Sequence, residues 1–152
     1  LPEFLSLVHG DLTFQNVMVR ADGDTKAIDM EAQDSLEAAE LDLGKLFQST
    51  HSRYEDWSRL ATPLCQSLSP TAIRLNYAPQ PPDAVLCRAI RRRWARILNC
   101  SEDLVERKGG FYLGLHLFRM VPFRMKTSMD HALYALATAV TRLSRALDET
   151  GG

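Results

Sequence analysis

The sequence is poor in features that would place it outside a reducing, aqueous compartment. Its three cysteines, Cys65, Cys87 and Cys100, are odd in number and form no C-x-x-C pair, which suits a reducing compartment better than a disulfide framework. No run approaches the ~18–20 consecutive apolar residues of a membrane span, and Leu1 opens without the basic stretch and apolar run of a secretory signal. These absences predict a cytoplasmic chain. The missing initiator Met further predicts that the 152 residues are a piece of something longer. Aromatics make up only 8% of the chain, and neither an internal repeat nor a low-complexity tract is present. A net charge of −1 argues against a nucleic-acid binder.

What is present is an ordinary globular composition, 45% hydrophobic and 24% charged, enough to bury a core. The length predicts one domain, at roughly 100–200 residues per domain. Charge is segregated: residues 1–50 carry ten acidic and three basic side chains, and residues 51–152 carry nine acidic and fifteen basic. An acidic first third is what a divalent-cation site would want, and a basic remainder could face anionic ligands. Solvated charge explains such an imbalance equally well.

Periodicity predicts short strands first and helices afterwards. Leu5, Leu7 and Val8 form an apolar run that stops at His9-Gly10-Asp11. A strand over Asn16–Arg20, the Asp22-Gly23 turn and a return strand over Thr25–Ile28 make a hairpin that ends at Asp29. Asp11, Asn16 and Asp29 thus fall at strand ends, where polar side chains can converge. Asp22 and Asp24 read as turn residues.

A helical stripe runs from Leu36 to about Ser49, and Ser69-Pro70 and Pro79–Pro82 punctuate two further helical stretches. A helix beginning near Asp83 has Leu86, Ile90, Trp94 and Ile97 or Leu98 as its inner side. Ser101 is the expected N-cap of the next helix, which Gly109-Gly110 weakens by about 1–2 kcal/mol and Pro122 ends. In the last helix, Thr127-x-x-Asp130 resembles a capping box, and Met129, Leu133, Leu136, Val140, Leu143 and Leu147 form the expected core stripe. The expected fold class is α+β, mostly α, with a small hairpin packed on four or five helices.

The segment with chemical promise is His9-Gly10-Asp11-Leu12-Thr13-Phe14-Gln15-Asn16, followed by Ala27-Ile28-Asp29-Met30-Glu31. Phosphoryl transfer from a nucleotide needs hard oxygen ligands for Mg²⁺, a carboxylate near the attacking hydroxyl and a rigid frame. An Asp, an Asn five residues on, and a second Asp returned by a hairpin offer all three.

H-G-D-x4-N followed by I-D-x-E resembles the catalytic loop and metal-binding segment of the aminoglycoside phosphotransferase and choline kinase family, relatives of the protein kinases. The resemblance implies that Asp11 orients or deprotonates the acceptor hydroxyl. It also implies that Asn16 and Asp29 hold Mg²⁺, that His9 braces the loop, and that Glu31 supports the metal aspartate. Leu41-Asp42-Leu43-Gly44-Lys45-Leu46 is similar to the helix that follows in this family, whose aspartate, here Asp42, braces the catalytic loop. Bacterial members linked to capsule or surface-sugar synthesis are nearest in character, and Leu115–Phe118 and Val121–Phe123 share it. Two departures are Met30, where an aromatic or Pro is common, and Gly44, where Ala is usual.

The resemblance is firm over residues 5–50. It implies a protein kinase-like C-terminal lobe over residues 1–150, with the N-terminal nucleotide-binding lobe absent from this chain. No Gly-rich loop precedes the motif, and Lys26 and Lys45 lie on the wrong elements to serve as the phosphate lysine. The implied activity is a kinase reaction with ATP or another NTP as donor and a sugar, aminoglycoside, choline-like or related hydroxyl as acceptor. The implied cofactor is Mg²⁺. Loss of the upper lobe predicts exposed apolar residues at Leu5, Leu7, Val17 and Val19, through which the chain could self-associate.

Other polar residues have plainer readings. His51, His116 and His131 share no ligand spacing and read as surface or core filler, and the cysteines as small buried hydrophobes. Arg88, Arg92 and Arg96 lie along one helix face, with Arg91 adjoining. That stripe reads as a solvated or salt-bridged face, with contact to an anion or partner as the alternative. A non-catalytic kinase-like module acting in protein–protein interaction is the competing function.

Overall fold

The structure, a computed structural model, describes residues 5–30, 37–69, 71–80 and 84–148. In chain order, β1 (Leu5–Ser6), β2 (Val17–Val19), β3 (Thr25–Ala27) and β4 (Glu37–Ala38) precede α1 (Glu40–Thr50). After these come β5 (Cys65–Ser69), β6 (Ala72–Leu75), α2 (Ala84–Ile97), α3 (Glu102–Met125) and α4 (Met129–Asp148). The strands pair antiparallel as β1 with β4, β2 with β3 and β5 with β6. The described chain is therefore α+β and mostly α. No helix among the described residues is long and apolar enough to cross a membrane.

The first hairpin forms where its turn chemistry directs. Gly23 has φ 87°, a left-handed conformation that glycine enters without a Cβ clash. Its N–H donates to Arg20 O at 2.9 Å, while the Asp22 carboxylate accepts from Asp24 N–H at 3.0 Å. Val17 lies opposite Ala27 and Val19 opposite Thr25. Asn16 belongs to a 3-10 turn over Phe14–Asn16 rather than to the strand. Ile28 N–H still donates to Asn16 O at 2.9 Å, so Asp29 follows directly on the last cross-strand bond.

The core lies between α1, α3 and α4. Leu43 and Phe47 of α1, Val105, Leu113 and Leu117 of α3, and Tyr134, Ala135 and Ala139 of α4 are fully or almost fully buried. Glycines let these helices approach. A Cβ on Gly109 would stand 2.5 Å from the Phe47 ring, and one on Gly44 would stand 2.7 Å from Tyr112 Cβ. Both distances are shorter than carbon atoms tolerate. The helix weakness at Gly109 is thus exchanged for close packing of α1 on α3, and the departure at Gly44 has the same cause.

Several sequence expectations are corrected. The helix expected from Leu36 begins at Glu40, because Glu37 and Ala38 are taken up in pairing with β1; Leu36 itself lies outside the described residues. One of the two expected helical stretches is instead a 3-10 segment over Tyr54–Arg59 followed by the β5–β6 hairpin. On α2, Leu86 is exposed and Cys87 is buried in its place, and Leu98 rather than Ile97 turns inward. Ser101 does cap α3, accepting from Leu104 N–H at 3.2 Å. Pro122 lies inside that helix, which continues to Met125.

Half of the stripe expected to be core on α4 turns outward, while Leu133, Leu136 and Leu143 are half-buried and Leu133 packs against the core. Met129, Val140 and Leu147 are more than half exposed, and the buried face is Ala132, Tyr134, Ala135 and Ala139. Gly114 lets α3 approach α4 closely, since a Cβ there would stand 2.9 Å from Leu143 Cγ and 3.4 Å from Ala139 O, and the small residues fill the face nearest α3. Thr127 does not start the helix. Ser128 Oγ accepts from His131 N–H at 3.3 Å, while Asp130 accepts from Leu64 N–H and Cys65 N–H at 2.8 and 2.9 Å and ties β5 to α4.

Candidate functional site

The loop between β1 and β2 is held from below by α1. Asp42, 8% exposed in the first turn of that helix, accepts His9 N–H on Oδ2 at 2.7 Å and Gly10 N–H on Oδ1 at 2.9 Å. Gly10 has φ 84°, which permits the sharp bend that aims both amides at one carboxylate. His9 Nε2 lies 2.8 Å from Ile28 O. A carbonyl only accepts, so Nε2 carries the proton and Nδ1 is left to accept Asp11 N–H at 3.4 Å. His9 therefore links the loop to the end of the β2–β3 hairpin. Further along, Phe14 N–H donates to Ser49 Oγ at 2.9 Å, and Ser49 donates in turn to Glu55.

This frame fixes the carboxylate of Asp11. Asn16 Nδ2 donates to Asp11 Oδ2 at 2.9 Å and to Asp11 O at 2.9 Å. Lys45 Nζ lies 2.9 Å from Asp11 Oδ1. Both carboxylate oxygens are thus oriented, one by a neutral amide and one by an ammonium. Because its amide nitrogen is committed to Asp11, buried Asn16 has its side-chain oxygen left over as a hard acceptor.

Asp29 follows the last hairpin bond with φ 58°, a left-handed conformation rare outside glycine, asparagine and aspartate. Backbone strain of this kind concentrates at functional positions. Its side chain is exposed. The structure brings Asp11, Asn16, His9 and Asp42 into one hydrogen-bonded group and sets Asp29 next to the backbone bond of Asn16. Glu31 lies outside the described residues. No group of three or more His, Cys, Asp or Glu side chains that could hold a metal ion occurs among the described residues. A cation here would take its protein ligands from one amide oxygen and one carboxylate, a donor set suited to Mg²⁺ sharing its shell with phosphates and water.

Two residues read as filler or dismissed by the sequence belong to this site. Lys45 is one: three residues beyond Asp42 on α1, it reaches the same loop that Asp42 clamps. His116 is the other, reaching across from α3 to Leu41 O at 2.9 Å. Burial pushes its pKa down to about 4, helped by Lys45 and Arg119 and opposed by the Leu41 carbonyl and Asp11, so the ring is neutral near pH 7. Beside these groups opens a cavity of about 250 Å³, lined by Gly10, Glu37, Leu41, Lys45, His116 and Arg119, with Met120 and Phe123 at its side. His51 is no filler either, since it pairs with Glu106 at 3.2 Å.

The arginine stripe stands apart from the site. Arg92 pairs with Glu102 and Arg91 with Glu106, both at 3.4 Å, which makes the face partly salt-bridged, and Arg88 and Arg96 are exposed. Cys65 and Cys87 are buried and Cys100 half-buried, and none of them is in a disulfide; burial and the neighbouring Asp130 push Cys65 up to about 11. Leu5, Leu7 and Val19 are 55%, 79% and 68% exposed, while Val17 is half-buried. Comparison of the chain with family models, with curated proteins and with solved structures gives no match.

Proposed function

We propose that the chain is the C-terminal lobe of an ATP-dependent phosphotransferase that moves a γ-phosphoryl group to a hydroxyl of a sugar, aminoglycoside, choline-like molecule or related metabolite. The observation that carries this reading is the carboxylate of Asp11. It is held between Asn16 and Lys45 on a loop clamped by Asp42, beside a cavity large enough for a small acceptor. In this role Asp11 orients the acceptor hydroxyl and receives its proton as the new O–P bond forms. The bond from the γ-phosphorus to its bridging oxygen breaks, and the nucleoside diphosphate leaves.

Asn16, through its free amide oxygen, and Asp29, through its exposed carboxylate, would hold Mg²⁺. When bound, the ion supplies charge neutralisation to the phosphates. Lys45 holds Asp11 in position. Neutral His116 lines the acceptor cavity without adding charge, and the setting fits a cytoplasmic reaction.

The test is phosphoryl transfer from labelled ATP to a panel of small hydroxyl acceptors by the full gene product, wild type and Asp11→Asn. Transfer by the wild type that is lost in the variant, with thermal melting unchanged, supports the reading. Equal transfer by both overturns it. Mn²⁺ electron paramagnetic resonance, in which Asp29→Asn should weaken ion binding in the presence of ATP, tests the ligand assignment separately.

A further inference from the structure

At the far end of α1 a second polar cluster gathers. Asp42 and His51 are nine residues apart, about 14 Å along a helix rising 1.5 Å per residue, so this cluster lies well away from Asp11. Glu106 is shared between His51 Nε2 at 3.2 Å and Arg91 Nη1 at 3.4 Å. The His51 hydrogen bond, more than burial opposes it and with Arg91 assisting, holds the Glu106 carboxyl below its usual range. Beside Glu106 opens a cavity of about 350 Å³ lined by Asp103, Arg107 and Gly110 of α3 and by Arg142 and Arg145 of α4.

Arg142 is the unusual member. It is half-buried between the helices, yet among the described residues it has neither a hydrogen bond nor a carboxylate within 4.0 Å. Burial, and then the neighbouring Arg145, lower its pKa. An arginine does not lose its proton in a protein, so the cost of partial desolvation stays in place until an anion relieves it. Protein carboxylates do so only in part: Glu106 opposes the shift from a distance but is already claimed by His51 and Arg91, and Asp103 is an exposed rim residue one helical turn from Arg107. Arg145 likewise has no ion pair among the described residues.

The space in front of these guanidinium groups is open. A Cβ on Gly110 would meet nothing within 4 Å. Arg142 and Arg145 also line an adjoining cavity of about 240 Å³ whose wall includes Leu75, Tyr77 and Tyr134. Forked guanidinium donors match phosphate oxygens pairwise, and the adjoining wall offers aromatic and aliphatic surface to whatever the phosphate is attached to. We propose that this cavity binds the phosphate group of an organic phosphomonoester, with Arg142 and Arg145 holding the phosphate and the ligand body lying toward Leu75 and Tyr77.

The inference is independent of the phosphotransferase reading, and the probes are chosen to keep it so. Isothermal titration of the full chain with inorganic phosphate and with phenyl phosphate avoids any nucleotide. Phenyl phosphate is expected to bind saturably at one site and more tightly than inorganic phosphate. Arg142→Gln is expected to weaken it by at least about tenfold, the loss of a charge-assisted hydrogen bond. Gly110→Met, which improves helix propensity, whose Cβ meets nothing within 4 Å and whose longer side chain takes up cavity space, is expected to do the same and keeps the test decisive should Arg142→Gln fail to fold. Arg93→Gln, an exposed arginine away from the cavity, and Asp11→Asn are expected to leave binding unchanged. Absence of saturable binding, equal affinity for the two probes, or undiminished affinity in Gly110→Met would overturn the proposal.

Discussion

Lys45 Nζ stands 2.9 Å from Asp11 Oδ1, with the lysine side chain 17% exposed and the aspartate 35%. A carboxylate so paired is held in one rotamer, oriented to accept a proton from a hydroxyl. For the proposed reaction, Asp11→Asn is expected to reduce transfer by about 10³-fold or more, and Lys45→Met by about 10²-fold through lost orientation of Asp11. Lys45→Arg, which keeps the charge, should recover part of the second loss. Initial rates with melting curves measured alongside decide the matter: a Lys45→Met protein with unchanged turnover would make the pair purely structural.

Asp42 is the second test, and its readout needs no assumption about activity. It accepts two backbone N–H groups of the loop while almost fully buried, and each hydrogen bond to a charged group is worth about 1.5–3 kcal/mol. Asp42→Ala should lower unfolding free energy by about 3 kcal/mol in urea titration. Amide exchange at His9 and Gly10 should accelerate more than at Leu113 or Leu117, which belong to the core. Uniform acceleration would mean that the carboxylate stabilises the whole fold rather than the loop.

How far the sequence discloses this arrangement depends on the range of the interaction that decides each part. The Asp22-Gly23 turn and the Ser101 cap are settled within four residues, and both stand where turn and cap chemistry put them. The α4 stripe holds at Leu133, Leu136 and Leu143 but not at Met129, Val140 and Leu147, because hydrophobic spacing cannot know that α3 approaches closely enough to favour Ala132, Ala135 and Ala139. Leu86 and Cys87 change places for a related reason, since the inner face of α2 is set by the helix it meets. His116 escapes because its partners, Leu41 and Lys45, are more than seventy residues away in sequence. The order of Asp11, Asn16, Asp29 and Asp42 is legible in the chain; the ion pair from Lys45 is a product of folding.

Adjacent glycines on α3 should respond oppositely to the same change. At Gly109 a methyl group would meet the Phe47 ring at 2.5 Å, whereas at Gly110 it meets nothing within 4 Å. Gly110→Ala should stabilise by about 1 kcal/mol through helix propensity. Gly109→Ala should destabilise by about 1–3 kcal/mol, because overpacking exceeds the propensity gain. Urea unfolding of the two single variants checks both signs at once, and a stabilised Gly109→Ala would mean that α1 and α3 can separate at no cost.

His116 makes stability depend on pH in a defined direction. Burial holds its pKa at about 4 in the folded chain, against an ordinary value of 6.5. Between those two values the unfolded state binds the proton and the folded state does not. Stability associated with the neutral ring is therefore full above about pH 6.5, falls as pH drops through the window, and levels off below about pH 4. At 1.36 kcal/mol per unit the loss is about 3 kcal/mol. His116→Gln removes the titration while its amide can still donate to the Leu41 carbonyl. The comparison to make is the difference in unfolding free energy between pH 7 and pH 4, wild type against variant. The wild type should lose about 3 kcal/mol more, and the His116 ring protons should titrate near pH 4 by nuclear magnetic resonance. Equal losses, or a ring that titrates near 6.5, would mean that water reaches His116 and that the cavity beside Lys45 is more polar than its lining implies.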